Sequence, residues 1–359
     1  MSAHAAAGAT PPRTARRGEW PVGPERLAWG CGLAGLAVAA LGWLLDPRDF
    51  QYAWLAALAT WLSWPLGSLA LLLVHVLTGG RWGDAVRPGL RAGLATLPLL
   101  LPALVPLLLG LSTLYAWARP DEAAHLANHF YLNPPFFYAR GVAYLVVWSV
   151  LALLTLRGAG ERLAPPGLVL LAITFTFAVI DLTMSLDPSF NSSAYGMIQG
   201  AGAALFALSI AALPAAAVAK PDTLADIGKM LLSLVVLWAY LDFMQYLIVW
   251  ESDLASDASW YVRRAHGGWG WVMAALAVGH FLLPFLLLVF PRVQRSRRGI
   301  EAVALLLVAM EVLRGWWTVL PAAQRGVGWI DVGCALAFGG CGIGLALRAG
   351  APHRSARHV

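Results

Sequence analysis

Five charged side chains, Asp181, Asp242, Glu311, Arg314 and Asp331, interrupt stretches that are otherwise apolar, and His280 stands near the middle of another. A charge at bilayer depth is costly, and where it occurs it marks a substrate pathway, a proton relay or an ion partner. Glu311 and Arg314 are three residues apart, about one helical turn, so they can neutralise each other. Asp242 has no opposite charge within a turn. On a helix it shares a face with Gln245 and Tyr246, and Trp250 follows one turn further on. That pattern describes a polar pocket with an aromatic rim, and it singles out Asp242 as the group to hold or move a proton. Asp181 has Thr183 or a neighbouring helix as its nearest partners. A lone histidine such as His280 also serves as a hydrogen-bonded structural residue. Redox chemistry is another matter. Cys31, Cys334 and Cys341 form no CxxC or CxxCH motif. His75 and His280 sit at different depths, which does not suit paired ligation of a haem. No metal site is expected, and no residue that would be catalytic on its own.

The elements that must position these groups are membrane helices. Of the 359 residues 59% are hydrophobic and only 12% charged, and the mean hydropathy is +0.68. Soluble domains carry about 25% charged residues. Too little polar surface is available to wrap a soluble enzyme, and disorder, which needs high charge and low hydrophobicity, is excluded. Ten apolar segments can be read, near 27–45, 53–78, 92–116, 138–156, 167–186, 194–218, 226–250, 268–290, 299–319 and 329–348. Each is long enough, at about 20 residues, to cross a bilayer. The chain is therefore expected to be an all-α integral membrane protein. Pro98, Pro102 and Pro106 lie near one face of the third segment and should bend it. Residues 1–26 and 349–359 are expected to be cytoplasmic tails.

The loop charges orient the chain. With ten spans, 18 Lys and Arg fall on the side of both termini and 6 on the other, with Arg314 inside a span. The positive-inside rule then places both termini in the cytoplasm. The net charge of +6 reflects contact with anionic lipid and not nucleic acid. Ten of the 17 tryptophans lie near the outer ends, as interfacial anchors or as an aromatic-lined site. A weak repeat also appears. Leu45-Asp46-Pro47 matches Leu186-Asp187-Pro188, and the loop from Trp117 to Arg140 matches that from Trp250 to Arg263. Both steps are four helices. This predicts two parallel four-helix bundles, 27–156 and 167–290, followed by a helix pair, 299–348. All the buried acids then lie in the outer half of the second bundle and the final pair.

Quinol oxidation at the outer face would use such a cluster. It needs an apolar slot, an acceptor for the hydroxyl and carboxylates to carry protons away. Several stretches resemble the ActF-type membrane subunit of alternative complex III, within the NrfD or polysulfide-reductase-like family. They are Thr78-Gly79-Gly80-Arg81-Trp82-Gly83, Leu114-Tyr115-Ala116-Trp117, Tyr131-Leu132-Asn133 with Arg140, Asp181 through Pro188, Asp226-Ile227-Gly228-Lys229, Trp238-Ala239-Tyr240 with Gln245 and Tyr246, and Gly279-His280-Phe281. The resemblance implies a multi-pass subunit of a quinol:cytochrome c oxidoreductase in the bacterial inner membrane. It implies that haem c and iron–sulfur clusters reside on partner membrane and peripheral subunits, and that this subunit contributes to quinol or quinone binding, to proton translocation, or to both. Two other readings stay open: a ten-helix transporter, and a non-catalytic anchor for peripheral electron-transfer subunits. Transporters of that size commonly use inverted halves, whereas the repeat here keeps its orientation.

Overall fold

The computed structural model describes residues 23–123, 128, 130–158, 160–252 and 254–350, apart from the side chains of 255–257. The two expected tails lie largely outside the described residues. Among the described residues the chain is helical throughout, with no strand. Ten helices are long and apolar enough to cross a membrane. They are α1 (Pro24–Leu45), α2 (Pro47–Thr78), α3 (Arg81–Leu109), α4 (Pro134–Leu156), α5 (Ala164–Leu186), α6 (Tyr195–Ala216), α7 (Pro221–Ser252), α8 (Trp269–Val289), α9 (Arg297–Ala323) and α10 (Trp329–Gly350).

Local chemistry explains several of the ends. Asp46 alone separates α1 from α2. Its carboxylate accepts from the Asp49 N–H at 3.0 Å, and Pro47 takes the first helical position, where no N–H is needed. Asn133 caps α4 in the same way, accepting from Phe136 N–H at 2.9 Å. The proline-rich third span breaks as expected, through a tight 3-10 turn at Leu97–Leu99. It also starts eleven residues earlier than hydropathy indicates. Its first half, Arg81–Leu94, buries Gly83, Val86, Leu90 and Gly93 on one face while Arg87 and Arg91 stay exposed. Averaged hydropathy cannot register such an amphipathic start.

Helices α2 and α6 form the centre and pack on each other. The contact is close because Gly67 faces the α6 backbone: a Cβ there would lie 2.0 Å from the Ala203 carbonyl oxygen. Small residues at helix interfaces permit such an approach. Around this centre α3 and α5 touch both helices, and α7 packs on α6. The last two helices, expected as a pair, go to different neighbours. Helix α9 lies on α6 and α2, and α10 lies on α1 and α2. The α1–α10 contact is backbone to backbone: a Cβ on Gly340 would meet Gly32 N at 2.3 Å, and one on Gly35 would meet Ala337 N at 2.3 Å.

Candidate functional site

The eight candidate residues divide among three places. Asp242, Gln245, Tyr246 and Arg314 line a cavity of about 610 Å³ between α6, α7, α8 and α9, and Glu311 and His280 lie buried behind Arg314. Asp181 stands apart, between α4 and α5. Asp331 stands apart again, at the start of α10. The single outer cluster expected from depth alone is thus split. Equal depth does not bring helices together; only lateral packing does.

At the cavity, Asp242 is half-buried and lines the wall. It has no hydrogen-bond or ion-pair partner among the described residues. Its neighbour Gln245 is buried and held, with its side-chain oxygen accepting from Ser192 Oγ at 2.6 Å. Arg314 lines the cavity too. It donates to Glu311 at 2.6 Å, as the three-residue spacing anticipated, and to Gln199 of α6 at 2.7 Å. Gly202 of α6 leaves room for this pair, since a Cβ there would approach Arg314 Nη2 to 2.8 Å.

Glu311 and His280 are buried next to this wall. His280 Nε2 lies 3.3 Å from Glu311 Oε1. The separation suits an ion pair, but the angle does not suit a hydrogen bond. Both ring nitrogens and Glu311 Oε1 are left without hydrogen-bond partners. His280 is thus held beside Glu311 by proximity and burial, with no well-angled hydrogen bond. Its backbone is unusual as well. His280 sits in a π-helical stretch, Ala277–Leu282, where Leu283 N–H reaches back five residues to the Val278 carbonyl. Pro284 offers a cause, because it has no N–H to give the His280 carbonyl four residues earlier. Trp238 packs edge-on against the His280 ring, with centroids 4.1 Å apart, and its own indole N–H is unpartnered.

Aromatic rings close the loop end of the cavity. Phe190 stacks on Trp260 at 4.7 Å, and Trp260 meets Trp317 edge-on at 5.3 Å. Arg264 lies 3.6 Å over the Trp260 ring and donates to the carbonyls of Trp260, Trp317 and Thr318. The two α9 carbonyls belong to its last turns, where a cation is favoured. Burial pushes the Arg264 pKa down to about 9, which leaves it charged at pH 7.

Asp181 is fully committed elsewhere. Arg140 of α4 grips it with two hydrogen bonds, at 2.9 and 2.7 Å, and Tyr144 donates a third at 2.8 Å. Its expected local partner Thr183 instead bonds Val179 O and Tyr195. The group edges a smaller, almost wholly apolar cavity of about 280 Å³ between α2, α3, α4 and α5. Asp331, fully buried, is paired with Arg325, which also bonds Asp49 at the start of α2. Arg140, Arg264 and Arg325, counted by sequence as loop markers of topology, are therefore internal partners. The spacing Arg140, Tyr144, Trp148 was the available signal: one residue per turn on a single face. Gln199 carried no comparable signal.

Chemically, the larger cavity offers one free carboxylate, two glutamine amides and an arginine against an apolar, aromatic wall. Among the described residues no group of three His, Cys, Asp or Glu could hold a metal. No family model matches the sequence, and no curated protein matches it.

Proposed function

We propose that the chain is a multi-pass membrane subunit of a quinol:cytochrome c oxidoreductase of the alternative complex III type, and that the α6–α9 cavity receives the quinol head. The observation that carries the reading is Asp242, an unpartnered carboxylate on the wall of an aromatic cavity inside a membrane-spanning helix. A volume of about 610 Å³ suits a ring-sized head, since ligand pockets run from roughly 300 to 1,000 Å³. Asp242 accepts the hydrogen bond of one hydroxyl and takes the two protons of the quinol in turn, releasing the first before the second follows, as the ring gives up two electrons. Arg314 and Gln199 orient the opposite edge of the ring. Haem c or iron–sulfur clusters on partner subunits would take the electrons.

The finer architecture belongs to the same proposal: two parallel four-helix bundles, with both termini in the cytoplasm. The two cavities keep the four-helix step of the repeat, since one is lined by α2 to α5 and the other by α6 to α9, but each sits one helix later than the bundle it would belong to. The test is quinone binding by the full chain in liposomes, read as quenching of the cavity tryptophans, with quinol oxidation measured on the purified complex. Asp242→Asn should lower quinol oxidation at least tenfold and leave assembly intact. Full activity in that variant would remove Asp242 from the mechanism. No quenching in the parent chain would favour an anchoring role.

A further inference from the structure

The walls of the α6–α9 cavity are unequal. Its polar residues, Asp242, Gln199 and Arg314, face the helix bundle. Its opposite wall is built from Val236, Tyr240 and Phe243 of α7 and Met273 of α8. These four line the cavity and are also exposed on the outside of the protein, Tyr240 and Phe243 by 59% each. A residue that faces a cavity and the exterior together marks an opening, and here the opening runs between α7 and α8. Its depth follows from helix geometry. At 1.5 Å per residue a 32-residue helix is about 48 Å long, and Val236 stands near its centre. Phe243 is then about 10 Å from the midpoint, inside a hydrocarbon core about 30 Å thick.

The loop end is shut by contrast. Phe190, Trp260 and Trp317 are each less than a tenth exposed. Arg264 pins Trp260 to the end of α9 through three carbonyls, and Arg263 pairs with Asp187 in the α5–α6 loop. A ligand arriving from water must break that stack. A ligand dissolved in the bilayer must only slide between apolar side chains.

We infer that this cavity is loaded sideways from the membrane through the α7–α8 opening, and that its ligand is an amphiphile whose polar head meets Asp242 while its apolar tail stays between the helices. The inference rests on the cavity's being a binding site, as proposed above, but not on the head being a quinol.

The experiment uses the full chain in liposomes and two photoactivatable alcohols carrying a diazirine. One has a long alkyl tail and is dissolved in the bilayer; the other is tailless and is added in water. Labelled residues are read by mass spectrometry. The tailed probe should label interior residues such as Gln199 and Thr318, and the tailless probe should not. Val236→Trp, a surface change at the mouth, should cut interior labelling by the tailed probe at least fivefold. Trp260→Ala, which opens the loop end, should admit the tailless probe. The inference is overturned if the tailless probe labels the parent interior as strongly as the tailed one, or if Val236→Trp changes nothing. Quinone competition separates the two proposals. Interior labelling that quinone does not displace leaves the side opening standing and removes the quinol. Quinone binding that ignores Val236→Trp does the reverse.

Discussion

Asp181 and Asp242 look alike in the sequence, yet the structure predicts opposite responses when each becomes Asn. Asp181 is 2% exposed and accepts three hydrogen bonds, two of them from the Arg140 guanidinium. In Asp181→Asn one of those contacts turns from an acceptor into an amide donor that faces a cation. Arg140 is then a buried charge without its counterion. Removing one partner of such a pair costs about 3–5 kcal/mol, roughly a hundredfold to several thousandfold in the unfolding equilibrium. Asp242→Asn removes no hydrogen bond, because Asp242 has none among the described residues, and it preserves shape. Relief of a desolvated charge can even be favourable, so the change should stay within about 1 kcal/mol of zero. The assay is reversible unfolding in mixed micelles with rising SDS, followed by circular dichroism, on the parent and both variants. If Asp242→Asn is destabilised as much as Asp181→Asn, then Asp242 has a structural partner, and the cavity loses the free carboxylate on which its chemistry was argued.

Two further outcomes are expected. Gly340→Val places branched carbon where Gly32 N lies 2.3 Å from the Cβ position. It should force α1 from α10 at about 1–3 kcal/mol, visible in the same unfolding assay, while Gly339→Val, which meets open space, should be nearly silent. Arg264→Met keeps the stem but loses three carbonyl hydrogen bonds, so Trp260 and Trp317 should become more accessible to acrylamide. Unchanged fluorescence quenching in that variant would show that the aromatic stack closes the cavity without Arg264.

Much of the scaffold is legible in the sequence. Hydropathy adds up locally, and about 20 successive apolar residues mean the same thing whatever surrounds them. Ten spans followed from that, as did the bend at the prolines and the Glu311–Arg314 pair, whose partners lie within one turn. The starts of α2 and α3 were misplaced because amphipathic turns average out. Pro284 is the sequence sign of the π-helical widening at His280.

What the one-dimensional chain determined is that this protein belongs in a bilayer, and which scarce charges it buries there. Only the tertiary structure decided what each of those charges does. Asp181 meets Arg140 from 41 residues away, and Arg325 joins Asp331 to the start of α2, 276 residues distant. Asp242 and Arg314 reach one cavity from two helices, and His280 of a third meets Glu311 behind its wall. Residue spacing along a helix sets depth and face, but ion pairing depends on which helix stands alongside. That choice is made by close backbone contacts such as Gly67 on Ala203, and a stripe of small residues marks a helix that packs closely without saying which helix it meets.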